Sequence, residues 1–192
     1  MEDDERTTGE LLLALDSDYR RCYAGILDRI NEGEHLEDGT ISADHEFDAR
    51  QLIRAAFAYI EGATFVLKIE ASFNSEENGI ELLPQQNHFI FESGFELSDK
   101  GVVLEKAAKI PLSKNVRFAF NVFAQANGIS FTFDPSVEWW SLFKDSTRVR
   151  DRLTHPRMPQ DLDVTPREVI AMINAKDGFD GVLYYLLGAR GA

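Results

Sequence analysis

The stretch Thr147-Arg148-Val149-Arg150-Asp151-Arg152-Leu153-Thr154-His155-Pro156-Arg157 holds the residues best suited to chemistry in this chain. An imidazole titrates near neutral pH and can accept or give a proton, which suits His155 to the part of a base or acid. A guanidinium stays charged and grips a phosphate through two parallel hydrogen bonds, which suits Arg150 to the part of an anion clamp. The pair fits a reaction that gathers charge on phosphate oxygens, such as attack of a ribose 2′-hydroxyl on its neighbouring phosphate.

Val149 and Leu153 are the apolar anchors of a helix here, and the charged side chains flank them. Lys144, Arg148, Arg152 and His155 step by four, four and three, which sets them in one cationic ridge, with Arg150 on the other flank of the apolar stripe. Pro156 disfavours helical conformation in the residue before it, so the helix is expected to stop near His155 and leave its ring able to swing toward Arg150 or Arg152. Arg148, Arg152 and Arg157 should disfavour imidazolium and keep His155 able to accept a proton. Lys144 and Arg157 extend the patch as further phosphate contacts. Asp151 either orients Arg150 or His155, or pairs at the surface with Arg148 or Lys144, and Thr154 is placed for a local hydrogen bond. A purely structural reading stands beside this one, because cations near a helix C-terminus satisfy its last carbonyls and complement its dipole, each worth about 0.3–1 kcal/mol.

Arg150-Asp151-Arg152-Leu153-Thr154-His155 resembles the motif of the HEPN (higher eukaryotes and prokaryotes nucleotide-binding) family, helical bundles marked by Arg, four to six residues and then His, commonly with a polar residue just after the Arg. Arg148 also satisfies the looser spacing. The surroundings agree: the motif closes a helix, Pro156 follows, and a short polar loop leads to the last helix. The resemblance implies metal-independent cleavage of RNA by Arg150 and His155, with the motif contributed by both subunits of a homodimer. One histidine per chain does not readily serve as base and acid at once, and a two-fold dimer setting two copies across one cleft would solve this. By the same analogy the chain would be a toxin or a stress- or phage-defence effector, for which an antitoxin or another protein partner is allowed. One branch of the family has Tyr two residues after the His, where this chain has Arg157, so no role tied to that Tyr carries over.

Other constellations carry less. Asp44, His45 and Asp48 suit the dipole of a helix start, and with no HExxH pattern or Cys pair, neither a metal nor a cofactor is expected. His35 and His88 lie in polar, loop-like contexts. Trp139 reads as core or dimer interface rather than as a base-stacking platform, Trp140 is less determined, and Cys22 reads as a packed thiol. There is no Gly-rich phosphate loop and no G-x-S-x-G elbow.

The elements that must position the motif are helical. Glu2 to Glu5 reads as an acidic tail before a capping box, Thr7 and Glu10, and a first helix to about Gly33, with Leu12, Leu15, Tyr19, Cys22, Tyr23, Ile26, Leu27 and Ile30 on its core face. After a loop from Gly33 to Thr40, Ser42 or Asp44 caps a second helix reaching about Phe73. Phe47, Leu52, Ile53, Ala56, Phe57, Ile60, Thr64 and Leu67 form its stripe; Glu61 and Lys68 lie beside it, either solvated or turned into a groove. From Asn74 to Leu112 the helical period breaks down, and a β-hairpin around Ser98-Asp99-Lys100-Gly101 is expected within an insertion at about 87–105. Ser113 begins a third helix ending at Asn127 with Gly128 at C′, and Ile129 to Phe133 is an extended link. Asp134-Pro135 opens a fourth helix with Trp139, Leu142, Val149 and Leu153 on its inner side. Thr165, Pro166 and Glu168 open the last, for which Asp177-Gly178 predicts an interruption.

The whole is expected to be an all-α, up-and-down helical bundle of HEPN-like kind, one domain over 1–192 with a small β-hairpin insertion. A chain of 192 residues with 44% hydrophobic and 28% charged residues can bury an ordinary core and is not a disordered one. Cys22 has no disulfide partner, no signal peptide is evident and no apolar run approaches a membrane span, so a cytoplasmic protein is expected. The net charge of -13 opposes nucleic-acid binding, yet 144–157 carries five basic and two acidic residues, +3 against -16 for everything else. RNA is the expected partner of that patch. The alternatives are a non-catalytic module of the same fold binding RNA, a nucleotide or a protein, and a dimeric interaction protein whose acidic surface engages a basic partner.

Overall fold

A computed structural model of the chain describes residues 2–31 and 43–190, with side chains for 8–26 and 45–190. The described residues form six α-helices, α1 (Glu2–Asn31), α2 (Ala43–Glu77), α3 (Pro84–Ile90), α4 (Leu112–Ala126), α5 (Glu138–Thr154) and α6 (Pro166–Ala189), with a 3-10 turn at Pro159–Leu162. A single antiparallel hairpin, β1 (Ser93–Leu97) and β2 (Val103–Ala107), lies between α3 and α4. The all-α class with a small hairpin is thus the one the sequence predicts. No described helix is long and apolar enough to cross a membrane. The Thr7 cap, the inward placing of Leu27 and Ile30, the Gly33 to Thr40 loop with His35, and the Ser42 or Asp44 cap lie outside the described residues or side chains.

The chain divides into two compact units. The first takes Met1–Gly62 and Asp134–Gly181, hence α1, the first part of α2, α5 and most of α6. Its α1 starts at Glu2 rather than after an acidic tail, as acidic side chains suit a helix N-terminus. Tyr19 is buried on α1, whereas Leu12, Leu15, Cys22, Tyr23 and Ile26 are half-covered. Leu52, Ile53, Ala56, Phe57 and Ile60 of α2 are fully covered as expected, but Phe47 is 53% exposed.

Two helix boundaries in this unit differ from expectation. Asp134 does not cap α5: its Oδ1 accepts the Ser136 N–H at 2.8 Å and hydroxyl at 2.6 Å, a local turn that competes with helix formation and delays the start to Glu138. The buried face is accordingly Trp140, Phe143, Ser146, Val149 and Leu153, with Trp140 stacked on Phe143 at 5.0 Å and Phe143 against Phe57 at 6.0 Å. Trp139 and Leu142, placed inward from the sequence, are only half-covered. The last helix runs through Asp177-Gly178 without a break. A glycine inside a helix costs about 1 kcal/mol against alanine, but a Cβ at Gly178 would sit inside the Trp139 ring, so the missing side chain is what lets the indole pack there.

The second unit takes Ala63–Phe133 and Val182–Ala192. The short helix α3 lay unseen in a stretch read as irregular. Pro84 opens it and the Leu83 N–H is taken by the Gln86 side chain at 2.8 Å. The hairpin pairs Leu97 with Val103 and Phe95 with Glu105, and Gly101 takes the left-handed φ of 73° its turn requires. Lys68 is no solvated flank residue. It is 0% exposed, and its Nζ donates to Glu92 Oε1 at 2.5 Å, Asn115 Oδ1 at 3.1 Å and the Phe89 carbonyl at 3.4 Å, so the buried ammonium has all its donors occupied. Thr64 and Leu67 are buried as expected. The cap at Asn127-Gly128 is where the sequence puts it, with Gly128 at φ 64°.

Candidate functional site

The site forms at the C-terminal end of α5, in the first unit. Val149 and Leu153 are buried and fix the helix, so Arg150, Asp151 and Arg152 project around them. The helix ends at Thr154, as Pro156 dictates. The His155 N–H still donates to the Asp151 carbonyl at 3.0 Å, after which the backbone turns away at φ -126°, ψ 57°. Thr154 Oγ1 donates to the Arg150 carbonyl at 2.8 Å, the local bond its position suggests. Arg54 of α2 reaches across to donate to the Leu153 carbonyl at 3.1 Å and closes the helix end.

His155 is exposed, and its ring makes no hydrogen bond among the described residues. It is therefore turned firmly toward neither Arg150 nor Arg152. Arg150 is half-buried, at 27% side-chain exposure, and held from two sides: Nη2 donates to Glu61 of α2, and Nη1 to Asp151 Oδ1 at 3.0 Å. Asp151 thus acts on Arg150, one of the roles the sequence offered. The Glu61 contact spans 89 positions and was foreseen only as a carboxylate beside the apolar stripe.

The other cations separate into two groups. Lys144, Arg148 and Arg157 are exposed; Arg148 is 81% so and paired with Asp145 at 2.7 Å. Arg152, placed on the same ridge from the sequence, turns instead into the junction between α5 and α6. Its Nη1 donates to the Asp161 carbonyl at 3.1 Å and the Asp163 carbonyl at 2.5 Å, and its Nη2 to Glu168 Oε1 at 2.6 Å. Glu168 also accepts the Thr165 N–H at 2.9 Å, while its own N–H reaches Thr165 Oγ1 at 3.3 Å, the capping box expected from the sequence. Burial pushes the Glu168 carboxyl up, but the Thr165 amide and the Arg152 guanidinium outweigh it and hold the group below its ordinary value. Asp161 is held low by the Arg157 and Met158 amides, at 2.7 and 2.9 Å, so Arg157 is tied through its backbone while its side chain stays exposed.

Among the described residues no three His, Cys, Asp or Glu side chains stand ready to hold a metal ion. Cys22 lies half-covered on α1, where burial raises its thiol and weakens it as a nucleophile. Chemically, the end of α5 offers a solvent-open imidazole beside an oriented guanidinium, with exposed cations on the same helix. No family model, curated protein or solved structure matches this chain.

Proposed function

We propose that this chain is a HEPN-like, metal-independent endoribonuclease that works as a two-fold dimer. The observation that carries the reading is the exposed, unbonded imidazole of His155 one helical turn past the carboxylate-held guanidinium of Arg150. His155 would take the proton of a ribose 2′-hydroxyl as the 2′ oxygen bonds to the adjacent phosphorus. The bond from phosphorus to the 5′ oxygen breaks, and that oxygen takes its proton from the partner's His155, leaving a 2′,3′-cyclic phosphate and a 5′-hydroxyl. Arg150 uses two of its five donor N–H groups on Glu61 and Asp151, and the rest can meet the phosphate oxygens as charge gathers there. Lys144, Arg148 and Arg157 would guide the backbone in. A toxin or defence role is the setting that the family resemblance suggests.

One observation favours a second reading, a non-catalytic module of the same kind that binds RNA, a nucleotide or a protein. Arg148, Arg150 and Arg152 each already face a carboxylate, at Asp145, Glu61 with Asp151, and Glu168, which mutes the positive field. Incubating RNA with the purified protein in chelator separates the two. Degradation lost in His155→Ala and Arg150→Ala supports the nuclease, whereas intact RNA with wild type, bound or unbound, supports the module.

A further inference from the structure

In the second unit, the C-terminal ends of α2, α4 and α6 surround a polar cavity of about 360 Å³. Two of those ends are built alike, from Asn78-Gly79-Ile80 and Asn127-Gly128-Ile129. Both glycines take φ 64°, and both isoleucine amides reach back into the helix, Ile80 to the Ser75 carbonyl at 2.8 Å and Ile129 to the Ala124 carbonyl at 2.9 Å. The two asparagines spend their amide donors on backbone carbonyls, Asn78 on Ala126 at 2.9 Å and Asn127 on Phe123 at 2.8 Å. What they leave to the cavity they line is their side-chain oxygens, next to the Glu77 carboxylate.

Two further features fix the kind of ligand. Helix C-termini carry partial negative charge, and three meet here. Arg190 on the rim is offset by Glu70 at 2.8 Å, so Glu77 leaves the lining with a net negative charge. These groups call for a hydrogen-bonding cation. Asn74 adds the opposite demand. It is 3% exposed and lines the cavity; its Oδ1 accepts from Arg190 at 3.1 Å, which fixes the amide's orientation and leaves Nδ2 a buried donor without a partner. Such a donor is costly unless an acceptor meets it.

We infer that this cavity binds an α-ammonium group with its adjacent carbonyl, the chemistry of an amino-acid amide or of a peptide's free N-terminus. The ammonium sits among Glu77, Asn78 and Asn127, and the carbonyl oxygen accepts from Asn74 Nδ2. A free amino acid binds worse, because its carboxylate meets the same negative surroundings. The proposal is independent of the ribonuclease reading.

The test is calorimetric titration of the full chain with leucinamide, N-acetyl-leucinamide, leucine, and a Leu-Gly-Gly peptide with and without N-acetylation. Leucinamide binding that acetylation abolishes and Glu77→Gln weakens by about ten-fold or more is the expected result, on the scale of one charged hydrogen bond. The Leu-Gly-Gly arm identifies the source: a tighter peptide marks a chain terminus, an equal or weaker one a small molecule. Glu77 is exposed at the helix end, so the variant keeps the fold. No heat with leucinamide, or binding indifferent to acetylation or to Glu77→Gln, overturns the proposal.

Discussion

At the scale of single residues, Glu61 is where sequence and structure meet least. Arg150, His155, Asp151 and Thr154 stand within one turn of helix, so their spacing alone put them together. Glu61 lies on another helix, and no periodicity could tie it to Arg150. The same holds for Lys68, which lies beside the apolar stripe of α2 and whose acceptors come from Phe89, Glu92 and Asn115. Glu61 has a double effect on Arg150, orienting it and cancelling its charge. Glu61→Gln should therefore tighten RNA binding by a few-fold, the worth of a partly exposed ion pair of about 0.5–1 kcal/mol, while slowing cleavage by loosening the clamp. Gel-shift titration and single-turnover rates would show this; weaker binding would mean that Arg150 does not meet phosphate.

At the scale of elements, the ends whose caps carry distinctive chemistry were legible. Thr165-Pro166-Arg167-Glu168, Asn127-Gly128 and the hairpin Gly101 all appear where their residue types require. The start of α5 was not, because Asp134-Pro135 serves a turn as well as a helix. Gly178 likewise read as a breaker until Trp139 supplied the reason for it. Gly178→Ala should cost about 1–3 kcal/mol from overpacking against that indole despite alanine's better helix propensity, measured by urea denaturation; a stabilised variant would show that the ring moves freely aside. The α5–α6 junction yields a pH dependence. Glu168 is held below its ordinary 4.5, so the stability it adds is complete above that pH and fades as the pH falls through its folded value. Glu168→Gln should thus lower the melting temperature at pH 7, by about 2–4 °C for a lost cap of about 1 kcal/mol, with the gap closing toward pH 3. A constant gap would place the effect elsewhere.

At the scale of the whole molecule, the helical class was readable because apolar positions recur at three and four along most of the chain. The division into two units was not, since α2 and α6 each run through its boundary and no change of composition marks Gly62 or Gly181. Net charge also belongs to this scale: at -13, the chain can approach RNA only by way of the Lys144 to Arg157 face.

The most direct measurement is the chemistry of the RNA ends after incubation with the purified protein in chelator. The expected products from wild type are 2′,3′-cyclic phosphate and 5′-hydroxyl ends, absent with His155→Ala at equal folded concentration. Intact RNA in both reactions, or the same ends in equal yield from both, would contradict a proton transfer by His155.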